Sequence, residues 1–253
     1  MMPAFELNAR NLYPELKRRF ADIVEKNCLP SDQIGIQARA LSPKDAIGDT
    51  QRKDFPILTG REVMLQAEYR GAYGQAFTDS PAMFSGTLGD ILALDIEHDM
   101  GALGLFVASM NAVLRKLEMA KGTLHCKNDE PELCAKEFVG YLREHYGHPK
   151  ITLVGYQPAM IENLSKAFPL RVLDLNPDTV GKVKYGIAIE HGKNDYQDAV
   201  LHWADVVLCT GSTLSNGTIT DYLDTGKEVI FFGITIAGAA ELLGLKRVCF
   251  CGG

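Results

Sequence analysis

The sequence predicts an α/β protein: a C-terminal Rossmann-like, doubly wound parallel sheet preceded by a smaller α+β domain. Three observations carry this expectation. From Lys150 onward, short β-branched runs alternate with helical patterns, as in a parallel sheet covered on both faces. Before Gly101, strand-like pieces come first and helices follow, the order of a separate α+β unit. A chain of 253 residues, 46% hydrophobic and 23% charged, has ordinary globular composition and room for two modest domains. The boundary is placed so that residues 1–105 form the first domain and 106–253 the second.

The elements follow in order. An amphipathic helix is expected over residues 14–27, then strands over 33–41 and 62–69. The second strand leads into the turn-rich passage "RGAYGQAFTDSP". Helices are expected over 89–96, 100–119 and 131–146. The last is introduced by Asp129 with Glu132 three residues on, the spacing of a capping box. In the second half "ITLVG" reads as the first strand. Pro158 suits the first turn of the helix after it, with Ile161, Leu164 and Phe168 at helical spacing. The five strands are placed at 151–154, 172–175, 206–209, 229–232 and 248–251. Between them lie a polar connection, an amphipathic segment with Tyr196, Ala199, Val200 and Trp203, and the helical "IAGAAELLG".

Charge and cysteine usage narrow the function classes. A formal net charge of −6 argues against broad attraction to nucleic acid or to an anionic membrane. The opening "MMPAFELNARNLYPELKRRF" has no continuous apolar stretch of export-signal type. The longest nearly uncharged run, residues 100–114, is too short to span a bilayer. A cytoplasmic location is therefore expected. The six cysteines (Cys28, Cys126, Cys134, Cys209, Cys249 and Cys251) are then expected to be reduced thiols.

Ligand-binding residues are expected at one edge of the parallel sheet. In a doubly wound sheet, ligands sit outside the carboxyl ends of the strands. The stretch "LCTGSTLSNGTITDYL" leaves the strand "ADVVLC" there, with "TITDYL" expected as the following helix. Thr210, Ser212, Thr213, Asn216 and Thr218 offer polar groups, and Gly211 permits close backbone approach. Tyr156 and Gln157 follow the first strand, Asp174 and Asn176 end the second, and Thr235 follows the fourth. A helix cap would explain one or two of these residues. Their repetition at each strand exit favours a cleft for a small anionic or metal-chelating molecule.

The segments "ITLVGYQPAMIENLSK", "LDLNPD" and "CTGSTLSNGTITDYL", with "GREVMLQAEYRGAYGQAFTDSP" upstream, resemble the bacterial and archaeal family described as "putative heavy-metal chelation", whose function is otherwise unknown. The resemblance covers most of the chain from about Gly60. It implies a first domain like the N-terminal domain of enolase, packed on the Rossmann-like domain, with the site in the cleft between them.

Metal on the chain itself would call for thiolate or imidazole ligands. His125 and Cys126 are the candidate pair, but two adjacent residues cannot complete a tetrahedral site. Lys121 and Lys127 beside Cys126 are expected to lower its pKa modestly. Cys134 falls on an apolar stripe with Phe138 and Leu142. Cys209, Cys249 and Cys251 lie in expected strands, so all four are expected to be packed. A transition metal is the one cofactor left open. NAD is not expected, because "GYQPAM" lacks the glycine pattern of a dinucleotide loop. No acid, base or nucleophile stands out by spacing, so catalysis is left undecided. The alternatives to a ligand-binding cleft are a transferase using S-adenosylmethionine, with Asp174 on the ribose, and a metal chaperone. A homo-oligomer is also left open.

Overall fold

The computed structural model describes residues 7–8, 11–27, 36–59 and 62–253. Cys28, the first residues of the strand expected at 33–41, and Gly60 and Arg61 of the family-like motif lie outside the described residues.

Helix α1 (Leu12–Lys26) buries Leu12, Leu16, Phe20 and Val24, four residues apart on one stripe. Arg18 and Arg19 both hold the Glu15 carboxylate, and Arg19 also donates to the Leu242 carbonyl at 2.6 Å. This ties α1 to the far end of the chain. Strand β1 (Ile36–Ala40) leads to the short α2 (Pro43–Ile47), capped by the Ser42 hydroxyl. Then come β2 (Val63–Tyr69), β3 (Ala72–Thr78), β4 (Phe84–Gly86) and α3 (Leu88–Ala93). The four strands form an antiparallel sheet in the order β3-β2-β1-β4.

The passage expected as turns is therefore a strand, with only Arg70 and Gly71 turning between β2 and β3. Its small residues serve packing instead. A Cβ on Gly74 would lie 2.2 Å from the Ala112 amide nitrogen of the next helix, so the missing side chain lets that helix lie against the sheet.

Helix α4 (Met100–Lys116) begins at Asp99, whose carboxylate accepts from Gly101 N–H at 2.8 Å and Ala102 N–H at 3.1 Å. It is buried continuously from Ala102 to Leu114, because one side meets the antiparallel sheet and the other meets the C-terminal half. Asn111 fastens the two layers. Its Nδ2 donates to the carbonyls of Gln75 (2.9 Å), Ile234 and Thr235 (3.2 Å each), and its Oδ1 accepts from Gly238 N–H at 2.8 Å. The boundary expected between residues 105 and 106 falls inside this helix.

Helix α5 (Glu130–Tyr146) lacks the expected capping box: the Asp129 side chain makes no cap bond. Glu130 instead accepts from Lys127 N–H at 2.6 Å, and Glu132 is drawn off to Arg52.

The second sheet contains β5 (Ile151–Val154), β6 (Leu170–Asp174), β7 (Val183–Lys184), β8 (Ile187–His191), β9 (Val206–Thr210) and β10 (Glu228–Phe232). Its order is β10-β9-β5-β6-β8-β7, parallel except for β7. β7 and β8 occupy what read as a polar connection. Helices α6 (Pro158–Ser165), α7 (Ser212–Ser215) and α8 (Ala237–Leu243) and a π-helix over Gln197–Trp203 complete this half. One core lies between the sheet and the first half, and another lies under α5 and α6. Among the described residues, no helix is long and apolar enough to cross a membrane.

The strand expected at 248–251 does not form. Only Arg247 bridges to Phe231, and Val248 N–H reaches the Phe231 carbonyl at 2.9 Å. The Arg247 guanidinium donates to the carbonyls of Gly233, Lys121 and Gly122, and Gly253 pairs with Leu124. The tail thus leaves the sheet to join the segment before α5.

Candidate functional site

In the parallel sheet the strand order reverses between β5 and β9: later strands are added on opposite sides of this pair. A crevice opens at such a point beyond the carboxyl ends of the strands. Gly155 ends β5 with φ +97°, and a Cβ there would lie 2.8 Å from the Thr210 methyl group, so the two loops approach through this glycine. Gly211 does the same against Ile236, where a Cβ would stand 2.8 Å from the backbone nitrogen.

The crevice is roofed by the first half of the chain. Phe77 N–H donates to the Thr235 hydroxyl at 3.0 Å, the Ser215 hydroxyl donates to the Phe77 carbonyl at 2.5 Å, and Tyr13 donates to the Leu214 carbonyl at 2.8 Å. Two adjoining chambers result. The polar one holds Tyr156, Gln157, Asp174, Asn176, Thr210, Ser212, Thr213, Asn216 and Thr218, and encloses about 1470 Å³ with its mouth. The apolar one is walled by Phe55, Ile57, Phe138 and Met160 among others, and encloses about 970 Å³ with its mouth. Glu62, Phe77, Gln157, Thr210 and Ser212 line both, so they form one continuous cleft.

All ten residues expected to bind ligand reach this cleft, nine in the polar chamber and Gly211 in the apolar one. Their side chains are not equally available. The expected helix "TITDYL" is a 3₁₀ turn, Thr218–Tyr222, and the helix starts earlier, as the single turn α7. Thr213 and Ser215 are buried and spend their hydroxyls on the carbonyls of Thr210 (2.7 Å) and Phe77. Asn216 Oδ1 accepts from the backbone and hydroxyl of Thr218 at 3.1 and 2.7 Å. Ser212 keeps only a 3.4 Å contact to the Thr210 hydroxyl. Half of the hydroxyl-rich stretch is thus internal scaffolding.

Asp174 is also a fastener. Its Oδ2 accepts from Tyr156 N–H at 2.7 Å, and its Oδ1 accepts from Asn176 N–H at 2.7 Å and the Thr179 hydroxyl at 2.8 Å. It joins the loop after β5 to the loop after β6.

Glu62 is among the cleft residues that sequence reasoning missed, with Phe77, Asp79 and Lys193. It lies 112 positions from Asp174 in the chain, and no spacing signal links them. In the fold it sits where the chambers meet. Burial first, and then the charge of Asp174, raise its carboxyl pKa to about 7. A carboxyl so placed can exchange a proton near neutrality.

The candidate metal pair sits in the apolar chamber. His125 Nδ1 faces the Cys126 carbonyl at 2.5 Å, its ring meets Phe77 edge-on at 5.3 Å, and burial lowers its pKa. Cys126 departs from expectation: burial pushes its thiol pKa well up, aided by neighbouring cysteines, and overrides any influence of nearby lysines. The other cysteines are not simply packed core. Cys134 and Cys249 line the same chamber, and only Cys209 is fully buried among the described ones. Among the described residues, no three His, Cys, Asp or Glu side chains form a ready metal-holding group.

Residues 139–250 match the model of the DUF364 family, described as "putative heavy-metal chelation". Among solved structures, the chain is similar to a DUF364-family protein of unknown function from Pyrococcus horikoshii. The two are 17% identical with a TM-score of 0.52, over 88% of this chain and 79% of that one. A DUF364-family protein of unknown function from Desulfitobacterium hafniense DCB-2 is 11% identical with a TM-score of 0.49, over 72% of each chain. The first likeness shows a shared fold. No curated protein matches the chain.

Proposed function

We propose that this chain, whose residues 139–250 match the DUF364 family, holds a small organic molecule along the carboxyl edge of its parallel sheet. A hydroxyl-bearing or cationic end lies in the polar chamber, and an apolar portion lies in the chamber beside it. The observation that carries this reading is the continuity of the two chambers through Glu62, Phe77, Gln157, Thr210 and Ser212.

The charge preference reverses the one expected from the sequence. The polar chamber presents Glu62, Asp79, Asp174 and Asp221 against Lys193 alone, a field that attracts cations and repels phosphates or carboxylates. The one-turn α7 is too short to offset that with a helix dipole. A metal chelate of net positive charge suits the same field, which agrees with the description of the family.

A second reading is the transferase with S-adenosylmethionine. That cofactor is cationic at sulfur, and its ribose hydroxyls would meet Asp174 at the end of β6. Glu62 would then supply proton transfer during turnover.

The test is native mass spectrometry of co-purifying molecules. It is followed by calorimetric titration of S-adenosylmethionine, adenosine and adenosine monophosphate into wild type and Ser212→Ala. The proposal expects retained or added ligands to be neutral or cationic, with weaker binding in the variant. Preferential binding of the phosphorylated compound, or equal affinity in the variant, would overturn it.

A further inference from the structure

The walls of the apolar chamber suit an aromatic guest. Phe55, Phe77, Phe138 and Phe232 line it, and Phe138 meets Phe232 edge-on with centroids 6.0 Å apart. A flat ring entering among them gains further contacts of the same kind. Glu62 is the chamber's one acidic side chain, and among the described residues no lysine or arginine lines it. An ionised carboxylate against apolar walls is costly until a cation meets it.

Other polar groups on these walls are already engaged. The Asn128 side-chain oxygen accepts from Asp49 N–H at 2.9 Å, and the Thr235 hydroxyl accepts from Phe77 N–H at 3.0 Å. The Glu62 carboxyl and one ring nitrogen of His125 are not: among the described residues, neither has a hydrogen-bond partner. His125 Nδ1 lies 2.5 Å from the Cys126 carbonyl, which can only accept, so Nδ1 carries a proton. Burial disfavours a second proton, which leaves Nε2 as a bare acceptor. The ring is held in this pose, edge-on to Phe77 at 5.3 Å, while its own N–H donates to Gln75 Oε1 at 2.7 Å.

We infer that the cleft selects an arylalkyl ammonium whose ring carries a hydrogen-bond donor: the ring enters the apolar chamber, its donor reaches His125 Nε2, and the ammonium stays at Glu62 where the chambers meet. The charge of Asp174, close enough to act on the Glu62 carboxyl, adds to the pull on the cation. An anion in the same place meets two carboxylates and is repelled. This ligand class deepens the reading of an organic molecule in the cleft, on which it rests, and makes Glu62 and His125 its specificity determinants. A buried acceptor left unpaired is what lets a site reject the analogue that lacks the donor.

The test is calorimetric titration of the full chain at pH 8, where Glu62 is ionised, with four compounds of one shape. These are tyramine, phenethylamine without the ring hydroxyl, tyrosol with an alcohol for the ammonium, and para-hydroxyphenylacetate with a carboxylate there. Tyramine should bind about 10-fold or more tighter than tyrosol and about 3- to 10-fold tighter than phenethylamine, with the carboxylate weakest. Glu62→Gln should abolish the preference over tyrosol and keep the one over phenethylamine. His125→Asn keeps a donor for the Cys126 carbonyl but removes Nε2, and should do the reverse. His125→Gln, whose longer amide reaches the Nε2 position, should restore part of that preference. Each readout is a ratio within one protein, so a partly unfolded variant does not mimic the loss. No binding by any of the four, tyrosol or para-hydroxyphenylacetate binding as tightly as tyramine, or ratios unchanged in Glu62→Gln or His125→Asn would overturn this ligand class. The broader reading of an organic ligand fails separately, on the molecules retained at purification.

Discussion

Replacing Glu62 with glutamine tests the most unusual group in the cleft. In the folded chain its carboxyl pKa stands at about 7 against an ordinary 4.5, raised by burial and by Asp174. The folded state therefore holds this proton more tightly than the unfolded chain does. The resulting stabilisation is complete below pH 4.5 and is lost as pH rises to about 7. At roughly 1.4 kcal/mol per unit, the full loss is about 3.5 kcal/mol, and water at the cleft mouth reduces it to about 1–3 kcal/mol. Glutamine keeps the shape and never ionises. The variant should match wild type at pH 4.5, gain on it steadily to pH 7, and stay ahead by a constant margin above. For a chain of this size the margin is roughly 2–4 °C in Tm per kcal/mol. Thermal unfolding of both proteins across pH 4–8, followed by circular dichroism, measures it. A difference that does not change with pH, or a wild type more stable than the variant at pH 8, would refute the reasoning.

Three further outcomes are expected. Asn111→Leu should lower the urea midpoint sharply, because the unpaired Gly238 N–H and the three carbonyls that lose their donor cost about 1–3 kcal/mol for each group left unsatisfied. Ser212→Ala should leave Tm nearly unchanged, whereas Thr213→Val, which removes a buried 2.7 Å bond, should cost about 1–2 kcal/mol in a denaturant titration. Asp174→Ala should destabilise more than Asp174→Asn, since asparagine keeps one oxygen able to accept from the loop amides; equal loss in thermal melts would deny Asp174 its fastening role.

The parallel sheet was legible because each of its central strands is buried on both faces. Such a strand writes itself as a continuous apolar run, and β5 is buried at all four positions. The antiparallel half was read less well where packing overruled local preference. Gly71 and Gly74 look like turn formers, yet Gly74 is small because α4 lies on it. The segment 248–251 has the composition of a strand, but the Arg247 guanidinium finds its acceptors at Gly233, Lys121 and Gly122, and pulls the chain off the sheet after one bridge. The polar edge of the cleft was visible in the strand exits. What was not visible was how many of its hydroxyls, Thr213 and Ser215 above all, are consumed by carbonyls of the scaffold.

The features that matter most for function arise between segments far apart in the chain, which is why no local motif announces them. Glu62 comes to its place because β2 lies in the sheet that α4 fastens to the loops after β10, through Asn111. Its pKa is then raised first by burial and further by the charge of Asp174, a residue held in position by loops of the other half. One half of the protein thus supplies the carboxyl and the other half contributes to its shift. A cut between the halves should therefore abolish the near-neutral Glu62 titration even if each half kept its own secondary structure, because neither half alone contains both the carboxyl and the residues that perturb it.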